Sequence, residues 1–198
     1  MGSEMCIRDS YNIAMQLHNF SAGPSILPKE VMYQAGEAVK ELDNSRLSLI
    51  EISHRSKAFI EIMDEACELA LRLTGLENQG YKALFVQGGA SLQFLMIAYN
   101  LLQSKAGYLN TGTWSDKAIK EAKLFGDVVE VSSSKDKNYN YIPKDYSIPS
   151  GLDYLHITTN NTIFGTQYKL IPKTTSPLVA DMSSDIFSRD FDYSKFDL

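Results

Sequence analysis

Residues 83–94 read ALFVQGGASLQF, and this stretch decides the fold. The four apolar residues Ala83 to Val86 predict a buried strand. Two glycines then turn the chain, and a stretch of helical length follows from Ser91 to Leu102. A strand, a tight turn and a helix in this order are typical of an α/β protein.

The same order recurs further along the chain. Apolar runs predict strands at 107–109, 128–131, 154–159 and 178–182, with a helix over residues 116–125 between the first two. Strands separated by segments of helical length indicate an α/β fold with a largely parallel sheet. The polar stretch from Ser132 to Pro149 is expected to be a surface excursion.

Two amphipathic helices are predicted before this region. Pro28 sits at the start of the first, whose apolar residues run from Val31 to Leu42 at helical spacing. The second carries a continuous apolar stripe from Phe59 to Leu73 and ends at Gly75. Packing on a core explains both stripes.

Composition narrows the classes of partner. The chain has 198 residues, of which 44% are apolar and 22% charged, so a globular core is expected. A net charge of -5 gives no broad electrostatic attraction for nucleic acid or anionic lipid, although it leaves room for a local basic pocket, and it favours a small-molecule partner. Cys6 and Cys67 lie far apart, which indicates neither a disulfide framework nor a metal site. No apolar run approaches the roughly 20 residues that span a bilayer, so a cytoplasmic protein is expected.

The residues that follow each strand are candidate site residues, because ligands bind at the carboxyl ends of parallel strands. Gly88–Ser91 opens a helix whose free N–H groups could hold a phosphate, although a tight turn with Ser91 as N-cap explains the same residues. Trp114, the only tryptophan, could stack on a flat heteroaromatic ring or could be a packing anchor. The hydroxyl of Thr162 could donate to a ring oxygen, and a turn made by Asn160 and Asn161 is the alternative.

Asp181 ends an apolar strand, where an unpaired charge is unfavourable. A protonated pyridine nitrogen would be a suitable partner, and so would a turn that Asp181 caps through Ser183. Arg55, beside His54 and ahead of the second helix, could clamp a carboxylate bidentately or could lie exposed on the surface.

Six separated motifs resemble, in order, the phosphoserine aminotransferase family. They are HNFSAGPSILP at 18–28, EISHRSKAF at 51–59, QGGASLQF at 87–94, NTGTWSDKA at 110–118, TNNTIFGTQ at 159–167 and VADMSSDIFSR at 179–189. The resemblance runs from about His18 to Leu198.

This resemblance implies the aspartate-aminotransferase-like large domain of fold type I, with pyridoxal 5'-phosphate as cofactor and a homodimer with shared active sites. The implied reaction transfers an amino group between glutamate and 3-phosphohydroxypyruvate, giving O-phosphoserine and 2-oxoglutarate in serine biosynthesis; many bacterial members also serve pyridoxine biosynthesis. The residues implied for the cofactor are Ala90, Ser91, Trp114, Thr162 and Asp181, and those implied for substrate are His54 and Arg55.

Two departures from the family pattern stand out. Some members carry arginine where Ser91 stands, and others carry serine where this chain has Ala22. The resemblance also implies a Schiff-base lysine beyond Leu198. Lys195 is not expected to replace it, because Lys195 lies in a polar stretch without the dry pocket that imine formation needs. We therefore expect residues 15–198 to be an N-terminal segment with part of the large domain, inactive alone, and residues 1–14 to be a non-native leader.

Two rival interpretations remain open at this point. A cysteine desulfurase or related class V enzyme shares the architecture, but such enzymes usually stack histidine on the ring where this chain has Trp114. A non-catalytic α/β binding fragment would explain Gly88 and Gly89, but it gives Trp114, Asp181 and the pair His54–Arg55 no common purpose.

Overall fold

The computed structural model describes residues 18–198 in two units, one ending at Ile52 and the other comprising Ser53–Leu198. The leader predicted at 1–14 lies outside the described residues. The first unit contains helix α1, Lys29–Lys40, with Pro28 as its N-cap as predicted. The helix ends before Leu42, whose side chain is buried beyond its last turn.

The second unit opens with helix α2, Lys57–Thr74. The N–H of Phe59 donates to the Ser56 hydroxyl at 3.3 Å, which satisfies one of the free N–H groups of the first turn. Gly75 ends the helix with a φ of 68°, a left-handed conformation that glycine adopts without a steric penalty. The end at Gly75 agrees with the sequence prediction, and the helix begins two residues before the predicted stripe at Phe59.

The predicted packing of the two amphipathic stripes is wrong in one respect. No residue of α1 or α2 is buried, and Ile62, Leu69 and Leu73 of α2 are all exposed. An apolar stripe is buried only where another surface covers it. Within each unit, the described residues do not supply that surface.

A parallel sheet forms the centre of the second unit. Its elements are α3 (Gly89–Leu101), β1 (Lys105–Asn110), α4 (Thr113–Ala122), β2 (Asp127–Ser133), β3 (Tyr154–Thr158), β4 (Asn160–Asn161), β5 (Thr166–Gln167) and β6 (Leu178–Asp181). The strand order is β2-β1-β3-β6 with every pair parallel, while β4 and β5 form a small antiparallel pair. The predicted α/β class with a mainly parallel sheet is confirmed.

Both faces of the sheet are covered. On the first face, Tyr108, Tyr154 and Val179 pack against α3 and α4 through Phe94 and Ile119. The second face carries buried Leu155 and Ile157, which pack against Tyr168 and Phe196. Burial on both faces explains why the strands are continuous apolar runs.

The expected surface excursion at 132–149 is wrong in part. Ser132 and Ser133 complete β2, and Ile142, Tyr146 and Ile148 pack against the core of the second face. A polar stretch with one apolar residue every few positions can therefore pack against one face of a sheet through those apolar residues.

Residues 83–86 do not form the predicted strand. They form no regular secondary structure and have no ladder partners, and Leu84, Phe85 and Val86 are 78%, 61% and 55% exposed. A strand requires a neighbour whose backbone N–H and C=O groups pair with its own. No described strand supplies that neighbour, so the backbone of this apolar run stays unpaired and its side chains stay exposed.

Asp153 fixes the start of β1 beside β3. Its Oδ2 accepts the backbone N–H groups of Gln103, Ser104 and Lys105 at 2.9, 2.6 and 2.8 Å, and these hydrogen bonds lower the pKa of its carboxyl. The pairing of β1 with β3 sets which residues meet at their carboxyl ends.

Within residues 18–198, no helix combines the length and the hydropathy needed to cross a bilayer.

Candidate ligand site at the strand ends

A buried polar turn follows β1. The backbone N–H groups of Thr111 and Gly112 both donate to the Ser115 hydroxyl at 2.9 Å, and that hydroxyl donates to Asn110 Oδ1 at 3.1 Å. Because Ser115 satisfies the turn in this way, α4 begins at Thr113, three residues earlier than predicted.

Asn161 ties the end of β4 to this turn. Its Nδ2 donates to Thr111 Oγ1 at 3.2 Å and to Thr166 Oγ1 at 3.1 Å. A Cβ at Gly112 would lie 2.8 Å from Asn161 Oδ1, so only glycine leaves room for this approach. Asn161 is thus a structural link between β1 and the segment that carries Thr162.

Trp114 and Thr162 are brought together as the sequence predicts. The indole Nε1 donates to Thr162 Oγ1 at 3.2 Å across 48 residues of chain. Trp114 is 38% exposed, so part of its ring is open to a ligand. The hydrogen bond fixes one edge of the indole and leaves much of the ring accessible.

Asp181 lies at the end of β6, opposite Thr158 in the register of β3. Its Oδ1 accepts the backbone N–H of Ser183 at 3.1 Å and the Ser183 hydroxyl at 2.6 Å, as the turn-capping interpretation predicts. Among the described residues, Oδ2 accepts no hydrogen bond. The half-buried carboxylate therefore keeps one oxygen for a further partner.

Ala90 and Ser91 lie in the first turn of α3. Gly88 is the N-cap, so the interpretation of Ser91 as N-cap is wrong. Gly88 and Gly89 have φ angles of 98° and 58°, which glycine adopts freely. The free N–H groups of this turn and the positive helix end make it suitable for an anion.

Lys117 is a residue that the sequence interpretation missed. Its Nζ donates to the Ser91 hydroxyl at 2.7 Å, which places an ammonium group from α4 at the start of α3. The sequence did contain a signal for Lys117. It lies three residues after Trp114, and residues at that spacing share a helix face.

His54 and Arg55 lie in the turn before α2, and both are exposed. Arg55 donates only its backbone N–H, to Ser53 Oγ at 3.1 Å. Neither side chain makes a hydrogen bond or ion pair within residues 18–198, so no interaction joins them to the strand-end residues.

A buried ion pair supports the chain after Asp181. Asp185 accepts the Thr159 hydroxyl through Oδ1 and pairs with Arg189 Nη2 through Oδ2 at 2.9 Å. Arg189 also donates to the carbonyl of Tyr168 at 2.7 Å. These contacts join the segment after β6 to the ends of β3 and β5.

His156 and Thr158, both in β3, were also missed. Each is buried, and neither side chain finds a hydrogen-bond partner in the described part of the chain. Burial lowers the pKa of His156 to about 4, against the opposing effect of the Asp181 charge. The sequence signal was the run YLHIT, in which a histidine interrupts an apolar strand.

The strand ends can hold a ligand with three chemical parts. The first turn of α3 with Lys117 suits an anion, Trp114 suits a flat ring, and the free oxygen of Asp181 suits a cationic nitrogen. The parallel strands β1 and β6 place Trp114 and Asp181 at one edge of the sheet, and the hydrogen bond from Lys117 to Ser91 holds the start of α3 beside α4. Among residues 18–198, no group of three or more His, Cys, Asp or Glu side chains could hold a metal ion.

Comparison with known proteins gives concordant matches. A family model described as aminotransferase class-V matches residues 17–198. The chain is 62% identical over 186 residues to phosphoserine aminotransferase from Flavobacterium johnsoniae and 56% identical over 182 residues to the one from Bacteroides fragilis. These alignments cover 93% and 92% of this chain, and 52% and 51% of the relatives.

Solved structures agree with these matches. The phosphoserine aminotransferase from Bacillus circulans subsp. alkalophilus is 43% identical with a TM-score of 0.87, over 91% of this chain and 51% of that one. A phosphoserine aminotransferase with bound pyridoxal phosphate, from Trichomonas vaginalis, is 34% identical with a TM-score of 0.83, over 91% and 52%. The chain spans about half the length of the curated relatives it matches.

Proposed function

We propose, from the premise that this chain belongs to the aminotransferase class-V family, that it carries part of the pyridoxal-phosphate site of a phosphoserine aminotransferase. The observation that carries the proposal is the hydrogen bond from Trp114 to Thr162 next to the end of β6. Asn160, two residues before Thr162, donates to Ser184 at 2.9 Å and so holds that segment beside Asp181.

Each residue has a distinct task in this proposal. The backbone at Ala90 and Ser91, with the Lys117 ammonium, binds the phosphate. Trp114 packs on the ring, and the Thr162 hydroxyl contacts the ring oxygen. Asp181 faces the ring nitrogen and keeps a proton on it. When bound, the cofactor supplies the electron-accepting ring that amino-group transfer requires.

His54 and Arg55 are the proposed substrate contacts. An arginine can bind a carboxylate bidentately, and both glutamate and a phosphorylated 2-oxo acid offer one. The absence of an ion pair at Arg55 among the described residues leaves its guanidinium free for such a ligand. A cysteine desulfurase is disfavoured, because position 114 carries tryptophan rather than the histidine expected there.

The whole reaction and its setting belong to the same proposal. We propose amino transfer between glutamate and 3-phosphohydroxypyruvate, a homodimer and a cytoplasmic location as what the resemblance to the phosphoserine aminotransferase family implies. Lys195 is exposed and pairs with Asp192 at 3.3 Å, which is not the dry pocket that an imine-forming lysine needs. We infer that this chain alone does not catalyse the transfer.

The test joins residues 18–198 to the remaining half of the Flavobacterium johnsoniae relative; we call this protein the chimera. Pyridoxal 5'-phosphate is titrated into the chimera and into this chain, and the absorbance band of lysine-bound cofactor is followed before and after glutamate is added. We expect a glutamate-sensitive band from the chimera only. The same band from this chain would contradict the inference about its lysines.

A matched pair of variants tests the site. Asp181→Ala in the chimera should weaken cofactor binding by at least about tenfold, since a hydrogen bond to a charged group contributes about 1.5–3 kcal/mol. Asp190→Ala removes an exposed carboxylate from the segment that follows and should have no effect. Equal effects of the two variants would show that Asp181 is not a cofactor contact.

A further inference from the structure

The interior of β3 carries two polar side chains that the proposed site does not use. His156 is 1% exposed and Thr158 is 2% exposed. Both imidazole nitrogens and the Thr158 hydroxyl lack a hydrogen-bond partner among residues 18–198. Buried polar atoms in native proteins are nearly always paired, so such a cluster calls for a functional explanation.

The strand register places both residues beside Asp181. His156 is opposite Val179, and Thr158 is opposite Asp181 in the parallel pair of β3 with β6. Side chains two residues apart on a strand share a face, and so do residues paired across parallel strands. His156, Thr158 and Asp181 therefore lie on one face, at a diagonal separation that a long side chain can bridge.

The surroundings of the imidazole fix its position and its charge. Tyr108 stacks on it with ring centroids 4.9 Å apart, and Phe94 of α3 meets it edge-on at 6.3 Å. Tyr108 and Tyr154 bond to each other through their hydroxyls at 2.7 Å, so they leave the imidazole N–H free. Asp181 from β6 is the charged group that acts on the ring, and burial keeps the ring neutral near pH 7.

We propose that His156 is a positioning residue for Asp181: its neutral imidazole supplies an N–H group to the carboxylate oxygen that Ser183 leaves free, once a side-chain rotation joins these two groups, neither of which has a partner among the described residues. Ser183 then holds Oδ1, as it does in this structure, and His156 holds Oδ2, so the carboxylate is fixed at the strand end from both sides. The identity of the ligand that Asp181 meets rests on the proposed function. The contact between His156 and Asp181 does not.

The first test uses this chain without any ligand. It has three histidines, His18, His54 and His156, so the imidazole nitrogen and N–H proton resonances can be assigned by single substitutions. We expect His156 to be neutral from pH 6 to 8, with a single N–H whose resonances move in Asp181→Asn while those of His54 stay. A protonated His156 at pH 6, or resonances that Asp181→Asn leaves in place, would overturn the proposal.

The second test uses the chimera and its affinity for pyridoxal 5'-phosphate. His156→Phe keeps a ring between Tyr108 and Phe94 but removes the donor, whereas His156→Gln keeps an N–H donor and loses the stacking. We expect His156→Phe to weaken binding about tenfold and His156→Gln to stay within about threefold of the parent. The reverse order would show a packing role and overturn the proposal.

A double-substitution cycle shows whether His156 acts through Asp181. In an Asp181→Asn background, His156→Phe should change the affinity by no more than about twofold. An undiminished tenfold loss there would contradict the proposal. If the parent chimera does not bind the cofactor, the proposed function fails. In that case, and also if His156→Phe does not fold, the resonance measurement on the ligand-free chain still decides this inference.

Discussion

Two apolar stretches of the second unit look alike in sequence and lie in opposite environments. Residues 154–158, in β3, are all buried and pair with β1 on one side and β6 on the other. Residues 83–86 are exposed at Leu84, Phe85 and Val86 and pair with no described strand. Local sequence predicts a strand equally well in both places.

The difference shows that a strand is a property of its neighbours as much as of its own residues. Isolated extended segments are unstable in water, and the hydrogen bonds of flanking strands supply what local preference cannot. The same contrast divides the proposed site. Trp114, Thr162 and Asp181 follow paired strands, whereas Ala90 and Ser91 follow the unpaired stretch.

The largest expected effect comes from a matched pair of leucine substitutions. Leu155→Ala should destabilise the chain by about 2–5 kcal/mol, because it leaves a cavity in a fully buried strand. Leu84→Ala should change the free energy of unfolding by less than about 0.5 kcal/mol, as at other exposed sites. Urea unfolding measures both free energies. Similar losses in the two variants would show that residues 83–86 are as well packed as β3.

Acid sensitivity at His156 is the next effect. The pKa of His156 falls from 6.5 to about 4 on folding, so between these values the unfolded chain binds more protons than the folded chain. Stability is therefore complete above pH 6.5 and decreases as the pH falls, by about 2 kcal/mol between pH 7 and pH 5. Urea unfolding at several pH values measures this slope.

Two histidine variants serve as controls for the acid effect. His156→Gln should remove this part of the slope, since glutamine does not titrate. His54→Gln replaces an exposed histidine and should keep it. A slope that survives in His156→Gln would assign the acid effect to other groups.

Gly112→Ala tests how closely β1 and β4 approach at the site. The added Cβ would lie 2.8 Å from Asn161 Oδ1, so Asn161 must move, at a cost of about 1–2 kcal/mol. The emission of Trp114 should change as well, because Asn161 and Thr162 are adjacent. Gly36→Ala is the control: its Cβ meets nothing within 4 Å in α1, and it should be neutral or stabilising. If both variants left stability unchanged, Asn161 could move aside without cost, and the close approach of β1 and β4 would not matter for stability.

The smallest effect is expected at the end of the unpaired stretch. Lys117→Met removes the exposed hydrogen bond to Ser91, so stability should change by less than about 1 kcal/mol. Affinity of the chimera for pyridoxal 5'-phosphate should fall a few-fold through loss of the ammonium charge. Lys123→Met, at the end of α4, should leave the affinity unchanged. An unchanged affinity in Lys117→Met would remove Lys117 from the site.

Elements with local signals were predictable from the sequence. The apolar spacing of α2, its cap at Ser56 and its glycine end at Gly75 are all contained within about twenty residues. The parallel strands were predictable because burial on both faces produces continuous apolar runs. The position of Trp114 after β1 and of Asp181 after β6 followed from those runs.

Features that depend on distant residues were not predictable. Local sequence could not show that residues 83–86 lack a neighbour. The early start of α4 was missed although its cause is local, since the N–H groups of Thr111 and Gly112 donate to the Ser115 hydroxyl. Lys117 was missed because its partner Ser91 comes from another helix, and His156 was missed because the rings that bury it come from β1 and α3. Ser91 lies outside local reach in the same way, because it meets Lys117 across 26 residues.

The most direct test of the central claim, that the strand ends hold a flat phosphorylated ring, is the fluorescence of Trp114. Pyridoxal 5'-phosphate is added to the chimera and to its Trp114→Phe variant, and the difference in emission is recorded. We predict that the Trp114 emission is quenched in step with cofactor binding, and that Asp181→Ala weakens both together. Cofactor binding that leaves the Trp114 emission unchanged would place the ring elsewhere and contradict the account.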